Sequence, residues 1–341
     1  MSESTAEAGH PLPAATALPW HAGAVDRVAA ALASGRMPHA LLLHGPEGVG
    51  KEHFAVRLAA GLLCTRRSAR LEPCGECADC ALTRAGSHPD LHWLQRAEER
   101  KTVSVDQVRE VCETLGMTSM RHGHRVAIVS PAHAMTPSAQ NALLKTLEEP
   151  SAGTLIVLVT ARPSGLLATL RSRCQRIEIA RPARGLALEW LARELPGGAT
   201  PRLLDLAGGA PLRAIGLAPH ATALESQMTD GLEQLLSGRS DVTVIAAGMV
   251  GDGLPARLDW LDNLLGLVAR SRLAGDATEV TVPGGPLLQR AARESNMAAV
   301  FRLTDRVREV RRLLDGSTQA QLALESLLIE LVGALGRGTA R

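Results

Sequence analysis

The feature that most constrains the fold is a run of apolar and β-branched residues, Thr154–Thr160, with the sequence TLIVLVT. A run without polar alternation is typical of a strand that is buried on both faces. Two further runs, 40–43 and Arg125–Val129, have the same character, and weaker strands are predicted at Leu91–Leu94 and 176–179. Helical patterns separate these runs. The first half of the chain therefore predicts an α/β domain, a parallel sheet with helices on both faces.

Two of the helices between these strands have sequence patterns that predict where each helix begins. Ser104 and Gln107 have the spacing of a capping box, in which two side chains satisfy free backbone N–H groups of the first turn. Thr136 followed by Pro137 predicts an N-cap and a first helical residue, and Pro150 ends that helix. Further helices are predicted at Ala22–Ala33 and Lys51–Leu63.

A glycine-rich loop, GPEGVGKE at 45–52, lies between the first predicted strand and a helix. This is the context of a phosphate-binding loop, in which backbone amides and the lysine contact the phosphates. The last position of the motif is normally Ser or Thr, whose hydroxyl binds magnesium, and Glu52 places a carboxylate there instead. Lys51 favours nucleotide binding and Glu52 opposes it, so bound ATP or ADP and a turn without ligand both stay open. The candidate nucleotide-binding residues of the loop are Gly45, Gly48, Gly50, Lys51 and Glu52.

The strand Arg125–Val129 lacks the acidic residues that an ATPase carries at this place. One acid there holds the magnesium shell, and in AAA+ proteins a second polarises the attacking water. This strand is followed by Ser130 and Pro131, and neither can act as a general base. With Glu52, these are two separate defects in one site, which predicts that the site does not hydrolyse ATP.

Four of the six cysteines, Cys64, Cys74, Cys77 and Cys80, lie within 17 residues. Four thiolates close a tetrahedral shell around zinc, and CxxC turns place adjacent sulfurs at the required separation. The alternative, scattered reduced thiols, does not account for so tight a group. We therefore predict a structural zinc site with no position open for water.

The second half of the chain is predicted to be helical. Strand patterns end near residue 182, and short helices follow at 186–195, Pro201–Leu206 and 212–217. Beyond residue 220 the pattern is that of long helices, for example 258–273 and 298–314. Residues 1–18 are rich in Ala and Pro and are predicted to be a flexible tail, without the basic start and apolar run of a signal peptide.

Charge and composition argue against several classes of protein. The net charge is only +2, and aromatic residues make up 2% of the chain, which disfavours a zinc-dependent DNA-binding module or a protein that stacks bases. No apolar stretch approaches the ~20 residues that cross a bilayer. We therefore expect a cytoplasmic protein without a membrane partner.

Four blocks of sequence together resemble the bacterial DNA polymerase III clamp-loader family over about residues 20–215. They are the cysteine cluster, HPDL at 88–91, NALLKTLEEP at 141–150 and LLATLRSRC at 166–174. The resemblance implies three domains: an AAA+ α/β domain at 19–181 with a zinc module at 64–80, a helical lid at 182–222 and a helical collar at 223–341.

The resemblance also implies partners and roles. The partners are gamma/tau and delta subunits, in a pentameric ring that opens the sliding clamp and places it on primed DNA. Arg173 of the SRC motif matches the family's arginine finger, which reaches a neighbour's ATP. Thr160 matches the sensor near the γ-phosphate, and Arg213 matches the lid's sensor arginine.

Within the family, the defects at Glu52, Ser130 and Pro131 resemble the delta prime branch, which does not hydrolyse ATP. The resemblance then implies no intrinsic ATPase, and a place in the polymerase III holoenzyme, a DNA-directed DNA polymerase. The nearest alternative is an ATP-hydrolysing subunit of the gamma/tau type. The second alternative is a small-molecule P-loop kinase, which would keep Ser or Thr after Lys51 and has no use for a zinc module.

Overall fold

The structure is a computed structural model of the 341-residue chain. It describes residues 12–13, 15–96, 102–121, 123–251, 253–274, 284–313 and 320–335. The chain forms two compact units, Met1–Leu186 and Ala187–Arg341. The first is an α/β unit and the second is helical. The predicted tail at 1–18 falls largely outside the described residues.

A five-stranded parallel sheet organises the α/β unit, with the strand order β2-β3-β4-β1-β5. Every residue of the two strands β3 and β4 is buried. This confirms the buried parallel sheet that the apolar runs predict. The strands are β1 (Ala40–His44), β2 (Leu91–Leu94), β3 (Arg125–Val129), β4 (Thr154–Thr160) and β5 (Gln175–Glu178).

Helices cover both faces of this sheet. One face packs alternate strand residues, such as Leu42, Ala127 and Ile156, against the helices α4, α5 and α6. Helix α2 packs on the sheet from the opposite face, against β1, β3 and β4. The helices of the unit are α1 (Ala22–Ala33), α2 (Lys51–Leu63), α3 (Ala78–Arg84), α4 (Val105–Gly116), α5 (Pro137–Glu148) and α6 (Ala168–Arg173). Short 3-10 helices are formed by Pro19–His21, Ala132–Ala134 and Pro163–Gly165.

The predicted helix starts are confirmed. At the start of α4, Ser104 and Gln107 form the complete capping box. At the start of α5, the hydroxyl of Thr136 accepts a hydrogen bond from the amide of Ala139 at 3.2 Å. These side chains satisfy N–H groups that have no partner inside the helix.

The second unit contains only helices in its described residues, and its core is apolar. Leu258, Leu261, Val307 and Leu328 are almost fully buried within it. Helix α7 (Arg184–Glu194) crosses the boundary between the units. The others are α8 (Pro201–Leu206), α9 (Pro211–Leu217), α10 (Ala221–Leu236), α11 (Val242–Met249), α12 (Leu254–Ala274), α13 (Pro286–Glu294), α14 (Met297–Leu313) and α15 (Ala320–Leu335). The division of this part into lid and collar stays a prediction.

Across the described residues, no helix has both the length and the hydrophobicity that spanning a lipid bilayer requires.

A buried carboxylate organises the HPDL turn at the start of β2. Asp90 is 3% exposed. Its oxygens accept hydrogen bonds from the hydroxyl of Ser119 and from the amides of Met120 and Arg121, each at 3.0 Å. The Arg121 guanidinium contacts Asp79 of α3 at 2.5 Å. The turn, the loop between α4 and β3, and the helix of the cysteine cluster are thereby joined.

The pKa of Asp90 follows from this environment. Burial alone would raise it, but the hydrogen bonds from Met120, Ser119 and Arg121 hold the pKa of Asp90 below its ordinary value. A carboxyl group with a lowered folded-state pKa stabilises the fold above its unfolded pKa of about 3.9. That contribution is lost as the pH falls through the folded value.

We expect Asp90→Asn to lower the free energy of unfolding at pH 7 by about 2 kcal/mol, because hydrogen bonds to a charged acceptor are lost. The difference from the unchanged protein should shrink as the pH falls below about 4, the unfolded-state pKa of Asp90, and through its lowered folded-state pKa, where the carboxylate becomes protonated in the folded protein. Urea unfolding at several pH values measures both effects. Asp26→Asn is the control, since Asp26 forms a surface ion pair with Arg70 and should change stability by less than about 1 kcal/mol. Equal losses in the two variants would contradict the role given to Asp90.

Candidate nucleotide site and metal centre

The carboxyl ends of β1, β3 and β4 lie side by side at one edge of the sheet. His44 is paired with Thr160 in the β1–β4 register, and Val129 with Leu158 in the β3–β4 register. Because the strands are parallel, the loop after β1, Ser130 after β3 and Thr160 at the end of β4 meet at this edge. In open α/β sheets, this is the edge at which ligands bind.

The glycine-rich loop requires glycine where its backbone makes close approaches. Gly45 has φ +148°, and a Cβ there would lie 2.1 Å from the carbonyl oxygen of Ile179. Gly50 precedes α2 with φ +83°, in the left-handed region that glycine enters at no steric cost. Gly48 has φ +73°. The loop therefore has glycines where a tight phosphate-loop turn needs them.

Lys51 is folded onto its own loop. The residue is 8% exposed, and its Nζ donates a hydrogen bond to the carbonyl oxygen of Pro46 at 2.5 Å. Burial lowers the pKa of Lys51, and the nearby carboxylates of Glu47 and Glu52 oppose that shift. The ammonium group is thus held close to the place where phosphates bind in a loop of this kind.

The two positions that deviate from an ATPase contact each other. The Ser130 hydroxyl donates a hydrogen bond to Glu52 Oε1 at 2.5 Å, and Ser130 is 3% exposed. An active site has a hydroxyl after the lysine and a carboxylate after β3, with magnesium between them. Here the carboxylate and the hydroxyl have exchanged places and bond directly. The contact thus joins the two sequence positions that hold magnesium in an active P-loop ATPase.

The hydroxyl of Thr160 is engaged within the fold. Thr160 is 1% exposed, and its Oγ1 lies 2.9 Å from Nδ1 of His133 and accepts a hydrogen bond from the Arg162 amide at 2.9 Å. His133 lies in the short 3-10 helix after β3. Its role could not be inferred from sequence, because a single histidine in a turn carries no pattern.

Arg173 is the last residue of α6, and its side chain is 37% exposed. Its guanidinium donates to the carbonyl oxygen of Thr169 at 2.9 Å and forms an ion pair with Glu148 at 2.5 Å. Glu148 is the last residue of α5 and is a further partner that sequence analysis did not identify.

Arg213 lies on α9 in the helical unit. It forms an ion pair with Asp259 of α12, which is 7% exposed. The same carboxylate pairs with Arg311 of α14. Arg213 is thereby part of a charged triad that joins three helices of its own unit.

Two residues before α1 also contact the glycine-rich loop. The indole N–H of Trp20 donates to the carbonyl oxygen of Val49 at 2.8 Å, and Nε2 of His21 lies 3.0 Å from the same oxygen. His21 is fully buried, and burial lowers the pKa of its imidazole to about 4. The ring is therefore neutral, and Nε2 carries the proton that the carbonyl accepts.

The four clustered cysteines come together as a possible metal centre, with all four sulfurs within 4.8 Å of one another. The Sγ–Sγ distances are 3.8 Å between Cys64 and Cys77 and 3.9 Å between Cys74 and Cys80. Zinc–sulfur bonds of ~2.3 Å in a tetrahedron place sulfurs ~3.8 Å apart. The donor set fits a metal ion of this kind.

The backbone around the cluster stabilises thiolates. Cys64 Sγ accepts hydrogen bonds from the amides of Arg66 and Cys74, both at 3.3 Å. Burial raises the pKa of Cys80 to about 12. Burial would also raise the pKa of Cys77, but hydrogen bonds from the Cys80 amide and from Thr65 bring the pKa of Cys77 down to about 6. Since thiolates are the metal-binding form, these contacts favour a loaded site.

The cysteine loop packs tightly on α2. A Cβ at Gly61, inside the helix, would lie 2.2 Å from the carbonyl oxygen of Leu71. Glycine normally weakens a helix interior. Here it lets the backbone of the loop approach the helix directly.

Comparisons with known proteins agree with this architecture. The sequence profile described as "DNA polymerase III, delta subunit" matches residues 20–183. The chain is 36% identical to "DNA polymerase III subunit delta'" of Pseudomonas aeruginosa, over 88% of this chain and 93% of that protein. It is 37% identical to the protein of the same name in Escherichia coli, over 78% and 80% of the two chains.

A more distant likeness, 29% identity over 75% of this chain and 43% of the relative, is to "DNA polymerase III subunit gamma/tau" of Mycobacterium bovis. The two delta prime proteins are thus matched at higher identity, and over 93% and 80% of their own length. The chain belongs to the DNA polymerase III subunit delta prime family.

Proposed function

We propose that this chain is a delta prime subunit of a bacterial DNA polymerase III clamp loader that does not hydrolyse ATP itself. Its partners in this proposal are gamma/tau and delta subunits in a pentameric ring, which loads the sliding clamp onto primed DNA. The family and the extent of the match support this role. No membrane partner is part of the proposal, and the place of action is the cytoplasm.

The observation that carries the proposal is the hydrogen bond between Glu52 and Ser130. Hydrolysis needs magnesium to neutralise the charge that develops on the phosphates, and a base or polarising acid to orient water. Here the one carboxylate of the pair bonds a serine hydroxyl, and Pro131 occupies the place of the second acid. Glu52 also adds negative charge where phosphates would bind. A gamma/tau-type activity would need ligands for magnesium that these positions do not supply.

Arg173 then acts in a neighbour's site. A guanidinium is cationic at all relevant pH values and presents several N–H donors, so it stabilises charge on a transferring phosphoryl group. Arg173 lies at the end of a helix and is partly exposed, which suits contact with another subunit. In this proposal, one α/β domain carries both a nucleotide site that does not hydrolyse ATP and an arginine finger that acts in a neighbouring subunit.

The cysteine cluster is proposed to hold one structural zinc ion through Cys64, Cys74, Cys77 and Cys80. All four ligands come from the protein, so no position is left for substrate or water. The ion would crosslink a loop that has few apolar residues. Its role would be structural, because it would only bind the four thiolates.

The helical part is proposed to divide into a lid at 182–222 and a collar at 223–341. Thr160 and Arg213 then lie at sensor positions whose side chains serve the fold. The contacts of Thr160 with His133 and of Arg213 with Asp259 support this view, because both side chains have partners within the fold.

The isolated chain should hydrolyse no ATP above background, because magnesium anchoring and water activation are both missing. Glu52→Thr should not restore turnover while Ser130 and Pro131 remain. Phosphate release measured with excess ATP and magnesium tests this. Lys51→Ala is the matched control, since a residual rate that survives it comes from a contaminant. Turnover restored by Glu52→Thr alone would contradict the proposed defect after β3.

The purified chain should contain about one zinc ion per molecule. Cys77→Ser should lose the metal and loosen residues 64–80, whereas the parallel sheet should stay folded because its core lies elsewhere. Elemental analysis and circular dichroism measure the two effects. Cys112→Ser is the control, because Cys112 lies on α4 outside the cluster. Protein prepared without chelator and free of zinc would contradict the metal assignment.

Arg173→Ala should lower ATP turnover and clamp loading by the assembled complex while leaving assembly unchanged. An arginine finger contributes about 10³ to 10⁵ in rate at a single site, but one chain reaches one of several sites, so total turnover should fall less. Arg176→Ala is the control, since Arg176 is an exposed arginine on β5. A complex with Arg173→Ala that loads clamps at the normal rate would contradict the finger assignment.

A further inference from the structure

The Arg173 guanidinium lies between the ends of two helices. Arg173 NH2 is 2.5 Å from Glu148 Oε1 at the end of α5, and NH1 is 2.9 Å from the Thr169 carbonyl oxygen in α6. Helix carboxyl ends carry partial negative charge. A carboxylate at the end of α5 adds to that charge, so the position attracts a cation from the adjacent helix.

These contacts fix the direction of a long side chain. A free arginine on a surface samples many rotamers, and ordering it costs about 2 kcal/mol. Two bonds to different groups restrict the guanidinium before any partner arrives. Arginine has five N–H donors, and these contacts use two of them. The remaining donors stay free to contact a phosphate while Glu148 keeps its bond.

Two effects of Glu148 oppose each other. Its charge partly offsets that of Arg173, which weakens the attraction for phosphate. The ion pair orders Arg173, which lowers the entropy lost when the phosphate is contacted. Glu148 is 51% exposed, and water strongly screens its charge. Water does not weaken the geometric restriction of the Arg173 side chain in this way. The ordering of Arg173 therefore outweighs the partial offset of its charge.

We infer that Glu148 is a positioning residue that orients Arg173 for contact with the phosphates of a nucleotide on a neighbouring subunit. The inference rests on the proposed function of Arg173. It assigns a role to the end of the NALLKTLEEP block, whose Glu148 contacts the LLATLRSRC block through Arg173.

The chain offers a matched pair of substitutions for the test. Glu148→Gln and Glu149→Gln remove the same charge at adjacent exposed positions, and of these two carboxylates Glu148 is the one that pairs with Arg173. Glu148→Ala also removes the oxygen atoms that contact Arg173. Each variant is assembled with the ATPase subunits, and ATP turnover is measured over a range of ATP concentrations in the presence of clamp and primed DNA. Thermal unfolding of each variant shows that it is folded.

We expect Glu148→Ala to lower kcat by about two- to fivefold at the site served by Arg173, the range that an exposed ion pair supports. The KM for ATP should be unchanged, because the neighbour binds the nucleotide. Glu148→Gln should have a smaller effect, since the amide oxygen keeps a polar contact for the guanidinium although the charge is lost. Glu149→Gln should have none. In an Arg173→Ala background, Glu148→Ala should cause no further loss.

Any result that differs from these expectations contradicts the inference. Unchanged or raised turnover with Glu148→Ala would show that the carboxylate does not assist Arg173 or holds it back. An equal loss in the Arg173→Ala background would show that Glu148 acts independently. If Arg173→Ala itself has no effect, the finger assignment fails together with this inference. If Arg173→Ala lowers turnover and Glu148→Ala does not, only the positioning role fails.

Discussion

The structure depends on the burial of β1, β3 and β4 in the middle of a parallel sheet. Each of these strands is covered on both faces, so its hydrogen-bonding groups must pair with neighbouring strands. That pairing sets the register and brings three chain segments to one edge. The glycine-rich loop, Ser130 and Thr160 are neighbours for this reason, although more than a hundred residues separate the first from the last. The close approach of Gly45 to Ile179 adds the segment after β5 to the same edge.

The same scaffold separates two properties that an active ATPase combines. At the sheet edge, Glu52 and Ser130 are hydrogen-bonded to each other, at the two positions that bind magnesium in an active P-loop ATPase. This pairing leaves the loop and the strands in place. Helix α6, which presents Arg173, follows β4 and packs on α5. The proposed loss of ATP hydrolysis at the sheet edge therefore does not require loss of the surface that carries the proposed finger. Selection can therefore act separately on the sheet-edge site and on the surface that carries Arg173.

Sequence predicted those elements whose signals are local. The strands β3 and β4 were predicted with their observed bounds because a doubly buried strand is apolar throughout. The edge strand β5 was predicted one residue late, since three of its four residues are exposed and carry little apolar signal. Helix α3 was not predicted, because it has only seven residues and its N-cap is the Sγ of Cys77. The contacts of Glu148, His133, Trp20 and His21 join residues 25 to 29 positions apart, and no local pattern predicts such pairs.

The cysteine loop shows why a small insertion needs links of more than one kind. Between residues 64 and 80 few apolar side chains are buried, and Leu71 is the largest of them. A loop with so little core cannot offset the entropy of its own ordering through burial alone. Zinc, as proposed, would supply that free energy within the loop.

Zinc would not by itself fix the loop on the domain. That connection is made by Gly61 against Leu71 on one side and by Asp79 with Arg121 on the other. Because Asp90 holds the backbone of Arg121, the second link ends at the start of β2, and the metal centre is thereby joined to the sheet that carries the rest of the fold.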